Sequence, residues 1–348
     1  MIRREVLRLR RAVLRRPRLT RALKGVRGTW WTVTRRGPAQ PSSRPGVYPR
    51  DYRVRPAPGV VSDRWPEPPV VDSPFGAAIA PTPPVPPVRY DLELFEQLNA
   101  EYAAKPVQPT APKYDAASIT ARSRWRISSI HERIGLAGKT VLEIGCGAGY
   151  EVWYLAHHLG CDAWGIDINP RRAWPVLAGE RVHLVEGDVA VRDRLPVATF
   201  DRVLSFTVWE HITHPIEAIT ELERIMKPGG LAWIRANLHR GPTSSHRTRD
   251  IAFPFPHLLF EDAVIDEAMR RAGKAPGGSA WVNRLTWEQY EAAFLAAGFA
   301  IRALTFTTYP LDEAFYERFE DVLGRYPKVD LERGFFQVVL EKPTRSAR

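Results

Sequence analysis

An apolar run that ends in three alternate glycines constrains this chain more than any other feature: Val141-Leu-Glu-Ile-Gly-Cys-Gly-Ala-Gly149. The pattern reads as a buried strand, a tight turn and the start of a helix over Tyr150–His158. At such a junction a ligand can lie against bare backbone. A dinucleotide-binding fingerprint would need a further glycine at position 150, where Tyr150 stands, so that ligand class is disfavoured. The strand also carries an acid, Glu143, inside an otherwise apolar stretch.

The residues that follow repeat the alternation. Asp162–Asn169 reads as a second strand with Asp167 at its tip, and a carboxylate there can accept both hydroxyls of a ribose. Val182–Val189 reads as a third strand ending in Asp188, and Phe200–Phe206 as a fourth. A helix is expected from Pro215 to Met226, then Lys-Pro-Gly-Gly, then a fifth strand over Leu231–Asn237. Upstream, Ile119, Trp125, Ile127, Ile130 and Ile134 give 117–134 a helical apolar face. Thr286-Trp-Glu-Gln289 has capping-box form and opens a helix that Gly298 closes. Phe299–Phe306 and Phe335–Leu340 are the last two strands, the latter expected as an antiparallel edge. The architecture predicted is α/β, a Rossmann-like, doubly wound, mostly parallel sheet of seven strands. Residues 239–284 exceed an ordinary strand-to-helix connection, which marks them as a lid or binding insert.

The Glu-x-Gly-x-Gly-x-Gly pattern at 143–149 resembles the first motif of class I S-adenosylmethionine (SAM) methyltransferases. The stretch from Val208 to Ile234 is similar to a passage in the large group that includes ubiquinone-pathway O-methyltransferases. The resemblance covers roughly residues 117–342 and is firmest at 139–237. It implies SAM as cofactor, cradled by Gly145, Cys146, Gly147 and Gly149, with Glu143 orienting the loop or the methionine amine. It implies that Asp188 faces the adenine amino group with Val189 against the ring, and Ile168 and Phe206 complete the cofactor-binding set. Cys146 is better read as a small packing residue than as a nucleophile.

Glu210 and His211 follow the fourth strand, where cofactor and acceptor should meet. His211 could accept a proton near neutral pH or simply cap the turn before the next helix. Some ubiquinone-pathway relatives carry Glu-x-x-Glu-His at this point and use a divalent metal; Thr207 stands here in place of the first glutamate, so no metal is expected. The insert adds His239, His246, Asp250 and His257. Its Ser244-Ser-His246 and Pro254-Phe-Pro-His-Leu-Leu-Phe260 resemble an insert of methyltransferases that accompany surface-glycan and sugar biosynthesis. The catalytic candidates are therefore His211, Glu210, His246 and His257, while Phe253, Phe255 and Phe260 read as lid packing.

Charge is concentrated at one end. Residues 1–36 hold 13 Arg or Lys and one acid, a charge of +12, which leaves −1 of the total +11 for everything else. Ile2, Val6, Leu9 and Val13 form a narrow apolar stripe on this basic segment, and Trp30-Trp31 follow. These ingredients suit docking on an anionic membrane surface. They also suit an RNA-binding arm or a solvated tail. Residues 37–113 contain 18 of the 31 prolines and read as a largely disordered, Pro-rich linker, with one short helix at Tyr90–Ala104. The catalytic domain is then 114–348. Two cysteines, Cys146 and Cys161, lack metal or disulfide spacing and read as reduced thiols. With no secretory-type apolar core after the basic start, the expected location is cytoplasmic, peripheral at the membrane.

These features predict a SAM-dependent methyltransferase acting on an oxygen of a small molecule, a sugar or a lipid-linked glycan. The rival readings are an RNA methyltransferase anchored by the basic arm and a non-catalytic SAM-fold interaction module.

Overall fold

The computed structural model describes residues 90–107, 116–276 and 282–344; the basic segment 1–36 and most of the Pro-rich stretch lie outside the described residues. Seven strands form one sheet: β1 (Thr140–Ile144), β2 (Asp162–Asp167), β3 (Val182–Glu186), β4 (Phe200–Phe206), β5 (Met226–Asn237), β6 (Ala300–Thr308) and β7 (Arg333–Glu341). Their spatial order is β3-β2-β1-β4-β5-β7-β6. The first five run parallel, and β7 is antiparallel to both β5 and β6. Strand order reverses between β1 and β4, so the loops leaving their carboxyl ends face a shared crevice, the usual ligand position in such sheets.

Helix Ala116–Ile134 buries Ile127, Ile130 and Ile134, which share one face at helical spacing. It packs on the same side of the sheet as helix Tyr150–Leu159, whose Val152 and Leu155 are fully buried. Helix Pro215–Ile225 starts on proline and covers the other side through Ala218, Ile219, Leu222 and Ile225. It is joined there by helix Trp287–Ala296, which opens on the expected capping box: Gln289 N donates to Thr286 Oγ1 (3.4 Å), and Thr286 N donates to Gln289 Oε1 (2.9 Å).

Three expectations are corrected. β7, expected at the edge, lies between β5 and β6. Its Phe336, Val338 and Leu340 are fully buried, whereas β6 exposes much of its length and takes the edge. β3 ends at Glu186, so Asp188 sits in a turn, where its Oδ1 accepts from Ala190 N (2.8 Å). The connection from β3 to β4 carries no helix; Val189 and Leu195 cover that part of the sheet from turns.

The short helix expected within the Pro-rich stretch is Leu92–Tyr102, capped by Asp91, which accepts from Leu94 N at 3.0 Å; it does not stand apart as linker but docks on the fold. Its Phe95 and Leu98 are buried in a separate core with Phe253, Phe255 and Phe260 from the insert and with Phe315, Phe319 and Leu331 from the segment before β7. Phe95 meets Phe253 and Phe260 edge-on, both at 5.1 Å between centroids. Polar ties reinforce this packing: Tyr102 Oη donates to Asp312 (2.9 Å), Tyr90 Oη to Asp321 (2.7 Å), and Asn99 Oδ1 accepts from Ala252 N (2.7 Å). Among the described residues no helix is long and apolar enough to cross a membrane.

Candidate functional site

The glycine loop turns sharply because each glycine adopts a positive φ: +72° at Gly145, +51° at Gly147 and +82° at Gly149. A β-carbon on Gly145 would lie 2.2 Å from Val208 Cγ2, so no side chain fits there. One on Gly147 would meet nothing within 4 Å, so this face of the loop is open to a ligand. Asp167 holds the loop in place. Its Oδ2 accepts from Gly147 N and its Oδ1 from Asn169 N, both at 2.9 Å, and each oxygen keeps a second lone pair. Trp174 Nε1, a residue without a sequence signal, donates to Gly147 O at 2.8 Å. Ile168 is 64% exposed at the strand tip, an apolar surface that an adenine ring would cover. Val189 is buried nearby beneath the turn that carries Asp188.

Cys146 packs against Gly165, where an added β-carbon would come within 2.7 Å of its sulfur. Burial pushes this thiol well up, which fits packing and not nucleophilic attack. Glu143 is buried with Oε2 unpartnered; burial holds its carboxyl well above the usual range, Glu151 adds to the shift, and Arg126 opposes it. Arg126 pairs with Glu151 (3.0 Å) and lies over the Phe206 ring at 4.7 Å. The loop therefore has beside it one unpartnered carboxyl oxygen and an ion-paired guanidinium. Arg126 escaped sequence reading because it is one of several arginines on a helix, and only the fold aims it here.

The second half of the site lies past β4. Thr207 takes a left-handed φ of +53°, and its N donates to Arg235 O at 2.7 Å. A single 3₁₀ turn, Trp209–His211, then buries Glu210 to 2% exposure, with neither carboxylate oxygen reaching a hydrogen-bond partner. Burial raises this carboxyl to about 7. The ring of His246, from the insert, meets that of His211 edge-on at 4.8 Å. Burial lowers His246 to about 4, with His211 adding to the shift. Glu210, His211 and His246 each present a donor atom within 4.8 Å of the others, a set that could hold a divalent cation.

His257 is buried beside His239, their rings 5.0 Å apart. Its Nε2 donates to His239 O (2.6 Å), and burial lowers its pKa to about 3. Both ring nitrogens of His239, Asn237 Oδ1 and Thr243 Oγ1 are buried without partners, so the wall between β5 and the insert carries unmet hydrogen-bonding capacity. A narrow cleft runs past His239, Arg240, Trp287 and Asp330. Asp250, by contrast, pairs with Lys274 (2.9 Å) and Arg247 (3.8 Å) and serves the insert's own structure. Phe253, Phe255 and Phe260 are packed in the insert core.

This geometry is that of a SAM-dependent methyl-transfer fold. Residues 142–234 match the family model described as a methyltransferase domain. Over 126 residues the chain is 36% identical to a ubiquinone biosynthesis O-methyltransferase of Pseudomonas paraeruginosa, covering 34% of this chain and 52% of that protein. It is 28% identical over 119 residues to a tRNA U34 carboxymethyltransferase of Idiomarina loihiensis, covering 31% of this chain and 36% of that protein. Among solved structures it is similar to a SAM-dependent methyltransferase from Mesorhizobium loti, at 16% identity and a TM-score of 0.43, covering 63% of this chain and 97% of that one. The chain spans about half the length of the ubiquinone-pathway relatives it matches. Over residues 142–234 the chain thus carries a methyltransferase domain similar to that of class I SAM-dependent enzymes, with SAM as its cofactor.

Proposed function

We propose that the chain methylates an oxygen of a hydroxyl-bearing small molecule, sugar or lipid-linked glycan. The observation that carries this reading is Glu210: a buried carboxylate with both oxygens unpaired, set beside His211 and His246 at the end of the cofactor crevice. Bound SAM supplies a methyl on a positively charged sulfur, an electrophile strong enough that the protein need not provide a nucleophile of its own. The chain's tasks are to hold the acceptor hydroxyl in line and to accept its proton as the new oxygen–carbon bond forms. The Glu210–His211–His246 rim is the group of proton acceptors at that point. The unpaired His239, Asn237 and Thr243 atoms offer hydrogen bonds to further hydroxyls of an uncharged acceptor.

The test uses the full chain with SAM and a panel of methyl glycosides, lipid-linked sugars and catechols, read as release of S-adenosylhomocysteine. Glu210→Gln is expected to lower acceptor-dependent release about 100-fold, the lower end for loss of a general base, while SAM affinity stays the same. Release that is unchanged in this variant would remove the rim from the mechanism.

The basic segment supports a surface-bound enzyme. With 13 cationic residues against one acid, residues 1–36 should carry the full chain onto anionic vesicles in flotation, while a chain starting at 37 stays behind. The alternative, RNA as acceptor, draws on the tRNA-modifying relative. RNA binding that falls steeply with salt and vanishes without 1–36, in the absence of flotation, would favour it.

A further inference from the structure

We propose that Glu210, His211 and His246 form a binding site for a divalent transition-metal ion, with His246 of the insert supplying the ligand that Thr207 does not. The donor set consists of two imidazoles and one carboxylate, all within 4.8 Å of one another. Ligand bonds of about 2.0–2.2 Å place donors around a bound ion ~3–3.5 Å apart, so rotamer adjustments of about 1 Å close the site. Glu210 adds an independent sign: its carboxylate is buried at 2% exposure and neither oxygen has a hydrogen-bond partner. Buried carboxylates are ordinarily paired or coordinate a cation. The backbone points the same way. His246 and Thr207 both hold left-handed φ values, +58° and +53°, which are uncommon for residues other than glycine and concentrate at functional sites.

The donor types set the preference. Imidazole suits zinc, iron, cobalt and nickel, whereas magnesium is held by oxygen ligands. The site should therefore take Zn²⁺ or Co²⁺ and be indifferent to Mg²⁺. It also has a structural consequence: the ion would join the insert to the turn after β4, fixing the acceptor wall against the sheet. This inference rests on the rim geometry and not on the identity of the acceptor or on methyl transfer.

The experiment takes full-length protein stripped with a chelator, without SAM or acceptor, and titrates it with Co²⁺ while following the visible ligand-field bands. One equivalent is expected to bind with micromolar affinity, to be displaced by Zn²⁺, and to be unaffected by millimolar Mg²⁺. His246→Ala, a change outside the packed core of the insert, should weaken Co²⁺ binding at least 10-fold, a loss on the scale of losing even an outer-shell partner, while SAM titration confirms that the variant is folded. Absence of the bands in the wild-type protein, or equal Co²⁺ affinity in His246→Ala, overturns the proposal. Either result would leave the SAM titration intact and so separate this failure from failure of the methyltransferase reading.

Discussion

Asp167→Ala is expected to lower SAM affinity at least 100-fold in calorimetric titration. On our proposal the wild-type carboxylate performs two tasks with four lone pairs. Two of these accept Gly147 N and Asn169 N at 2.9 Å, which ties down the glycine loop. The other two would take the ribose hydroxyls. Alanine ends both roles, and hydrogen bonds to a charged group contribute roughly 1.5–3 kcal/mol each. Loss of two such bonds corresponds to roughly 3 kcal/mol or more, about two decades of Kd. Asp167→Asn should fall between, since its amide oxygen still accepts but one backbone N–H loses its partner. An alanine variant that binds SAM like the wild type would place the ribose elsewhere.

The second large effect concerns where the catalytic domain begins. A protein starting at residue 114 looks sufficient from the position of the glycine motif, yet it lacks helix Leu92–Tyr102. Phe95 and Leu98, 1% and 0% exposed, fill the core made by the insert and the helices before β7. Truncating one such aromatic to alanine costs about 3–5 kcal/mol, and removing the whole helix takes away both residues together with the Tyr102–Asp312 and Asn99–Ala252 bonds. The 114–348 protein should still bind SAM, because the crevice at β1 and β2 does not touch that core. Its insert should lose order. Limited proteolysis is expected to cut 114–348 within 251–276 at enzyme levels that leave 90–348 whole. Equal resistance of the two proteins would show that the helix is dispensable.

The contrast between the two halves explains what the sequence could convey. The glycine-loop half is local: Glu143 to Gly149 lie within one strand and turn, Asp167 ends β2 and Asp188 falls in the turn just past β3, so pattern and spacing suffice to place them in the fold. The positions of the strands along the chain were legible for the same reason. The second core is assembled from residues 95–98, 251–269 and 315–331, whose contacts depend on chain reversal and carry no periodic signature. The helix at 92–102 could be read from its sequence, but its docking partner could not. β7 was placed at the edge because an amphipathic strand and a fully buried one differ only by neighbours that sequence does not reveal. Likewise His246 lies 35 positions beyond His211, and only the fold brings their rings to 4.8 Å.

The core shared by helix Leu92–Tyr102, the insert and residues 315–331 also defines a mechanical path. Among the described residues, a pull on Tyr90 would pass through Phe95 to Phe253 and Phe260, and through Tyr102 to Asp312. The strands that hold the glycine loop lie outside that path, because none of their residues belongs to this core. A copy held at Tyr90 would thus bear load on the insert core, while the glycine-loop crevice stays slack.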